Sequence, residues 1–193
     1  HDVKTHADIV FDEGIPGDPL RIDLHLPQGV QNPPLVMFIH GGAWKGGDRK
    51  SRKMVWVVPH GYAVANIEYR LSQQAKFPAQ IHDCKGALRW LRAHADRYGY
   101  DAKRVVVAGA SAGGQLAALM GTTGGVEALE GDTAGHLDQS SRVQGVIDYF
   151  GATDFLLRSK TQPAMTDHPD GSVYQLLGGP VSENQELARL GSA

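Results

Sequence analysis

The sequence predicts an α/β domain with a mostly parallel β-sheet preceded by an antiparallel hairpin. After residue 34, apolar strand-like runs alternate with helical segments, and parallel neighbours require such crossover helices. Residues 7–11 and 20–26 instead alternate apolar and polar residues on either side of a turn-forming segment, which indicates a half-exposed hairpin. With 193 residues, 41% of them hydrophobic, the chain is expected to form one domain over residues 1–193.

Composition and charge argue against several classes of function. The net charge is -2 and charges of both signs are interspersed, so we expect neither a nucleic-acid nor a membrane partner. The longest apolar runs are strand-sized, whereas a membrane helix needs about 20 residues. Cys84 is the single cysteine, so it cannot form an internal disulfide. The chain begins at His1 without a leader, which we interpret as a trimmed chain and which favours a secreted or periplasmic location.

The first half of the predicted sheet comes from apolar runs. Residues 35–39 are apolar without alternation, which is typical of a strand covered on both faces. Residues 51–58 are predicted to form a short helix and residues 62–69 another strand. Pro78 then opens a helix with one buried apolar stripe. The stripe consists of Ile81, Cys84, Leu88, Leu91 and Ala95, and the other face carries Lys85, Arg89 and Arg92.

Residues 105–119 form the most informative stretch, because they read as a buried strand, a sharp turn and a helix. Within them, Gly109-Ala110-Ser111-Ala112-Gly113 matches G-x-S-x-G, in which a strained turn projects a nucleophilic serine above a parallel sheet. A glycine-rich turn with an exposed serine is the plainer interpretation. The flanking strand and helix favour the nucleophile.

The remaining segments complete the predicted α/β pattern. Residues 121–142 are glycine-rich and polar, and we expect them to pass over the upper edge of the sheet. Residues 143–150 are strand-like. Ser182-Glu183-Asn184-Gln185 has the spacing of a capping box and predicts a last helix through Leu190.

Small residues follow the strand at 35–39 and can supply oxyanion donors. Attack of Ser111 on an ester carbonyl creates an oxyanion that needs N–H donors. The backbone N–H of Ala112 is one candidate, and the turn containing Gly42 and Ala43 offers others. His40 precedes this turn, and we expect it to brace the loop rather than act as a base.

These motifs resemble those of α/β-hydrolase-fold esterases in the hormone-sensitive-lipase-like group, most closely the bacterial feruloyl- and acetyl-esterase-like (BD-FAE-like) branch. The resemblance covers nearly the whole chain. It is carried mainly by His40-Gly41-Gly42-Ala43-Trp44, Lys45-Gly46-Gly47-Asp48, Glu68-Tyr69-Arg70-Leu71 and Gly109-Ala110-Ser111-Ala112-Gly113-Gly114. It implies an α/β-hydrolase fold with helices on both faces and a small-molecule or carbohydrate ester as substrate, without a cofactor.

The resemblance also assigns roles to individual residues. Ser111 is the expected nucleophile, and Gly42, Ala43 and Ala112 are the expected oxyanion-hole residues. Ala43 stands where the commoner family motif has a third glycine, and its methyl group narrows the pocket. Trp44 and Tyr69 are candidates to line an aromatic acyl or sugar subsite, although aromatic residues near strand ends are more often packing residues.

The sequence offers no obvious base or acid for the predicted serine. A serine nucleophile needs a histidine oriented by a carboxylate, and in this fold both follow the serine along the chain. His136 and His168 follow Ser111 but lie in turn-like segments, and Asp154 is expected only to brace a loop. The resemblance places the triad Asp and His after two later strands, so we expect them beyond residue 193, on a further segment or a second chain that completes the sheet.

Three functional classes remain open from sequence. An ester hydrolase leads, an aryl-formamide or amide hydrolase on the same scaffold is next, and a non-catalytic binding module is the third. Asp167, His168 and Asp170 could be imagined as a metal cluster, but they crowd into one turn and no metal site is predicted. The glycines at 121–125 lack the lysine that a phosphate-binding loop requires.

Overall fold

In the computed structural model, which describes residues 1–193, the chain forms one mixed β-sheet together with helices. The strands are β1 (Val3–Ile15), β2 (Asp18–Pro27), β3 (Pro34–Ile39), β4 (Ala63–Ile67), β5 (Asp101–Ala110) and β6 (Gly145–Tyr149). The α-helices are α1 (Ala79–Ala93), α2 (Ala95–Tyr98), α3 (Ala112–Thr122), α4 (Glu127–Glu130), α5 (Phe155–Thr161), α6 (Pro163–Thr166), α7 (Ser172–Leu177) and α8 (Gln185–Leu190). Three 3₁₀ helices span Arg49–Ser51, Val55–His60 and Val181–Glu183.

The six strands lie in the order β1-β2-β4-β3-β5-β6. The predicted hairpin is confirmed, because β1 pairs antiparallel with β2, and β2 pairs antiparallel with β4. The other four strands are parallel. Their carboxyl ends therefore share one edge of the sheet, where ligands bind in folds of this class. Both the turn after β3 and Ser111 after β5 lie at this edge.

The two faces of the sheet are covered unequally. One face carries the main core, in which α1 and α3 pack on the sheet and α5, α7 and α8 extend the same cluster. The other face has a small cluster in which Met54, Val57 and Val58 pack on the strands. Helices are thus present on both faces as expected, but the second face has only 3₁₀ helices.

Several predicted elements differ from the observed ones. The single helix expected at 51–58 is replaced by two 3₁₀ helices, between which Arg52 and Met54 have positive φ values of 49° and 62° and interrupt the helix. The last helix predicted through Leu190 is confirmed as α8, but its predicted capping box is wrong. Ser182 lies inside a 3₁₀ helix, and α8 begins after Asn184, whose side chain makes no capping hydrogen bond.

The polar segment 121–142 lies against α1 rather than over the upper edge of the sheet. It starts at the end of α3 and returns at the start of β6, so both of its ends are at the amino end of the parallel strands. Between them, the Ala128 carbonyl contacts the ring of His82 and Thr133 lies against Gly86. This segment buries Lys85 and Arg89, on the face of α1 opposite the predicted stripe.

None of the helices combines the length and the apolar character needed to cross a membrane.

Candidate active site

Ser111 occupies a strained turn between β5 and α3. Its φ and ψ of 55° and -117° lie where non-glycine residues are rare. Its N–H donates to the Tyr149 carbonyl at 2.9 Å, and its own carbonyl accepts from the Gln115 N–H at 3.0 Å. The side chain makes no capping hydrogen bond and is exposed, so the hydroxyl is free at the carboxyl edge of the sheet.

Two glycines beside Ser111 are needed for this turn. A Cβ on Gly109 would collide with the Gly113 carbonyl. A Cβ on Gly113 would collide with the Ile39 carbonyl and lie 2.5 Å from the His40 carbonyl oxygen. The G-x-S-x-G pattern therefore reflects the close approach of β5, α3 and the end of β3.

The turn after β3 lies directly against the serine. A Cβ built on Gly41 would lie 3.4 Å from the Ser111 Cβ and 2.7 Å from the Ala110 carbonyl oxygen. The N–H groups of Gly42 and Ala43 make no backbone hydrogen bond. Ala112 is the first residue of α3, so its N–H has no intrahelical partner. The three predicted oxyanion donors are thus unpaired, with Gly41 bringing the turn into contact with Ser111.

His40 braces the turn, as expected from sequence. Its ring nitrogen Nδ1 lies 2.7 Å from the Gly41 carbonyl, and its ring stacks on Tyr69 with centroids 4.4 Å apart. Burial lowers the pKa of His40, which favours the neutral ring.

The expectation that Tyr69 lines a subsite is not supported. Tyr69 is 2% exposed, and its hydroxyl donates to the His40 carbonyl at 2.9 Å.

Trp44 is likewise a core residue rather than the wall of an open subsite. Its side chain is 3% exposed, and it meets the Phe155 ring edge to face at 5.6 Å. Its indole N–H donates to Gln115 Oε1 at 3.0 Å. Trp44 therefore attaches the turn to the core. Ala43, which precedes it, is half-buried.

The candidate acids and bases that follow Ser111 along the chain have other partners in the structure. The His136 ring packs edge to face on His94 at the end of α1, near the amino end of the parallel strands. His168 Nδ1 accepts from the Asp170 N–H in its own turn. Asp154 caps α5 by accepting from the Leu157 N–H at 2.8 Å. None of these side chains hydrogen-bonds to Ser111.

The chain contains no group of three or more His, Cys, Asp or Glu side chains arranged to hold a metal ion. The Asp167 carboxylate instead accepts from Ser159 at 2.6 Å, from Thr166 at 2.7 Å and from the Ser182 N–H at 3.1 Å. The Asp167 carboxylate therefore joins the short helices of residues 155–183.

Cys84 is buried, as predicted, and burial raises the pKa of its thiol.

Sequence reasoning missed two residues that support the turn. Arg49 is buried, and its guanidinium contacts Asp23 at 2.8 Å as well as Asp8 and Glu68. This cluster attaches the segment after the turn to β1, β2 and the end of β4. Gln115 is fully buried in α3. The available signal was its polarity among the alanines and leucines of that helix.

Residues 22–193 match the BD-FAE family model. Esterase LipC of Mycobacterium tuberculosis is 33% identical over 134 residues, which are 68% of this chain and 33% of LipC. The bifunctional GH43-CE protein of Bacteroides eggerthii has a TM-score of 0.86 and 31% identity, over 97% of this chain and 28% of that one. A truncated carbohydrate esterase from gut microbiota has a TM-score of 0.85 and 26% identity, over 98% of this chain and 70% of that one.

The chain spans about a third of the length of the curated relatives it matches. The family match, in contrast, covers most of the chain, including part of β2, all of β3 to β6 and the turn at Ser111. The chain therefore has the α/β-hydrolase fold and belongs to the BD-FAE family.

Proposed function

We propose that this protein hydrolyses carboxylic esters and that Ser111 is its nucleophile. The observation that carries the proposal is the juxtaposition of a free serine hydroxyl with unpaired N–H groups. Ser111 is exposed in a strained turn, the turn at Gly41 contacts it, and the N–H groups of Gly42 and Ala43 are unpaired. Relatives named esterases support the same reaction class.

The proposed reaction proceeds through an acyl-enzyme. The Ser111 oxygen attacks the ester carbonyl, and the negative charge that develops on the carbonyl oxygen is stabilised by the N–H groups of Gly42, Ala43 and Ala112. The positive end of the α3 dipole points to the same place. Collapse expels the alcohol, and water then hydrolyses the acyl-serine. Proton transfer requires a general base and a carboxylate in addition, and His136, His168 and Asp154 make no hydrogen bond to Ser111.

We propose a carbohydrate-linked acetyl or feruloyl ester, or another small acyl ester, as the substrate. Two structural neighbours, a GH43-CE protein and a carbohydrate esterase, support an ester carried on a carbohydrate. The Ala43 methyl group beside the proposed oxyanion hole favours compact groups at that position.

The proposal is tested by measuring the hydrolysis of p-nitrophenyl acetate. The assay uses the protein in the form that its natural host produces. We expect Ser111→Ala to reduce the rate by at least about 10³-fold while the protein stays folded. Equal rates for the wild type and Ser111→Ala would contradict the proposal. Comparison of p-nitrophenyl acetate, methyl ferulate and an N-formyl aromatic amine then separates ester from formamide hydrolysis. Failure to cleave any of these would favour a binding module.

A further inference from the structure

Gln115 is fixed to the nucleophile through its backbone. It lies one helical turn after Ser111, and its N–H donates to the Ser111 carbonyl at 3.0 Å. Its side chain is completely buried in a helix whose other buried residues are small or apolar. Burying an amide without partners costs roughly 1–3 kcal/mol, so its hydrogen bonds are expected to be specific.

Both ends of the Gln115 amide are satisfied by groups that define its orientation. Oε1 accepts from the Trp44 indole N–H at 3.0 Å, and Nε2 donates to the Gly191 carbonyl at 2.7 Å. An indole N–H only donates and a carbonyl only accepts, so the amide cannot be reversed without losing both hydrogen bonds. The amide links α3 to the turn after β3 and to the end of α8.

Trp44 needs such a link because the backbone leading to it is strained. Ala43 and Trp44 have φ values of 53° and 57°, and each non-glycine residue in this region costs about 1–3 kcal/mol. Such conformations persist only when surrounding contacts hold them. The contacts here are the indole hydrogen bond to Gln115, the Ser72 N–H bonded to the Trp44 carbonyl at 2.7 Å, and the packing on Phe155.

We propose that Gln115 is a positioning residue that holds the oxyanion donors in register with the nucleophile. Through Trp44 it sets the backbone of Gly42 and Ala43 relative to the helix that carries Ser111. This inference rests on the proposed esterase activity, since an oxyanion hole matters only if an oxyanion forms. Gln115 itself contacts neither Ser111 Oγ nor the space in front of it, because its side chain is buried behind the turn.

The test compares Trp44→Phe, Gln115→Met and the double variant in the protein as its host produces it. Trp44→Phe removes the indole N–H but leaves an aromatic ring and the Gln115–Gly191 bond. We expect each single variant to lower kcat for p-nitrophenyl acetate by about 10- to 100-fold, with KM changed by less than about twofold. The double variant should be no slower than the slower single variant. Active sites are counted with a fluorophosphonate so that unfolded protein does not enter kcat.

Trp90→Phe is the matched control, because Trp90 is also buried but makes no indole hydrogen bond and lies in α1. Its kcat should stay near that of the wild type. Unchanged kcat in Trp44→Phe, or a rise in KM alone, would overturn the positioning role even if thermal stability falls. If Gln115→Met does not fold, Trp44→Phe decides alone. A wild type without hydrolysis or labelling would overturn the esterase proposal itself, and the positioning role with it.

Discussion

Ser111 combines a costly backbone conformation with an unengaged hydroxyl, and both follow from its immediate neighbours. Its φ of 55° is maintained by hydrogen bonds from its N–H and to its carbonyl. The close approach of Gly113 to the end of β3 leaves no room for another path of the chain. Strain of this kind is stored where the surrounding fold holds it, and here it directs the hydroxyl outward.

Gly41→Ala is expected to impair catalysis more than folding. The new Cβ would lie 2.7 Å from the Ala110 carbonyl oxygen and 3.4 Å from the Ser111 Cβ, so the turn must move away from Ser111. Misplacement of reacting groups by about 1 Å can cost about 10²-fold in rate, and we expect a fall in kcat of that order. Steady-state kinetics on p-nitrophenyl acetate in the natural protein measure it.

Gly46→Ala is the control in the same turn, because the nearest atom to its new Cβ is 3.8 Å away. It should retain kcat within about twofold. Similar losses in the two variants would show that any added methyl group disturbs the turn and would remove the specific role of the Gly41 contact.

Two buried histidines make stability dependent on pH. Burial lowers the pKa values of His25 and His40 below the ordinary value of 6.5. Below about pH 6.5 the unfolded chain therefore binds protons that the folded chain does not, and the free energy of unfolding falls as pH falls. Denaturant unfolding at about pH 7.5 and pH 5.5 measures the difference.

His25→Gln should reduce this loss of stability on acidification, whatever its effect at neutral pH. His168→Gln should leave it unchanged, because the His168 side chain is 62% exposed. Stability in the wild type that is equal at the two pH values would contradict this expectation.

At this scale, sequence was informative where the structure is local. Ser111, Gly42, Ala43 and Ala112 lie in short motifs whose geometry depends on nearby residues, and Gly41, at the start of the turn with Gly42 and Ala43, lies directly against Ser111. For Trp44 and Tyr69 the sequence left a subsite role and a packing role open, because their burial depends on Phe155 and His40, which only the folded chain places beside them.

Helix α1 shows how an element acquires a second buried face. Segment 121–142 covers its charged side, where the Glu130 carboxylate contacts Lys85 at 2.8 Å and Arg89 at 3.4 Å. Burial lowers the pKa of the Lys85 ammonium. Arg89 also donates to the carbonyls of Gly131, Thr133 and Gly135, so the segment is fixed by hydrogen bonds to two cations.

Glu130→Ala should destabilise the protein by about 3 kcal/mol, because it leaves two buried cations without their carboxylate. Lys85 is fully buried and Arg89 is 2% exposed. Urea unfolding of the 193-residue chain measures the effect. Glu127→Ala, on the exposed side of α4, is the control and should change the unfolding free energy by less than about 0.5 kcal/mol.

An equal effect of Glu130→Ala and Glu127→Ala on the free energy of unfolding would mean that solvent already screens the contacts of Glu130 with Lys85 and Arg89.

The sequence predicted the apolar stripe of α1 because apolar periodicity reports burial directly. It could not predict the burial of Lys85 and Arg89, since their partner lies on a segment without periodicity. The short helices between residues 155 and 177 were missed for the same reason.

At the scale of the molecule, apolar side chains are exposed on the outermost strand, β6, and on one face of the sheet. β6 pairs only with β5, and Ile147, Tyr149 and Phe150 are 37%, 40% and 80% exposed. Trp56 adds a ring that is 67% exposed beside the same face. Exposed edge strands with apolar side chains favour intermolecular pairing.

The 193-residue chain is therefore expected to self-associate as its concentration rises. Ile147→Lys should shift sedimentation toward monomer, because a charge on the open face disfavours pairing. Leu137→Lys is the control, since Leu137 is 67% exposed but lies on segment 121–142 away from the edge strand. Monomeric behaviour of the wild-type chain at high concentration would contradict the expectation.

The order of the secondary-structure elements along the chain made the global fold predictable. Hairpin, parallel strands and crossover helices were each visible as local patterns, and handedness and adjacency rules leave few ways to assemble them. The unequal covering of the two faces was not predicted, because 3₁₀ segments have no distinct apolar period.

Covalent labelling tests whether Ser111 is the nucleophile. The protein from its natural host is treated with a fluorophosphonate, and the modified peptide is identified by mass spectrometry. We predict that the label is found on Ser111 and that Ser111→Ala abolishes it, while Trp90→Phe labels as the wild type does. Absence of label from Ser111 in folded wild-type protein, or its presence on another residue, would contradict the claim.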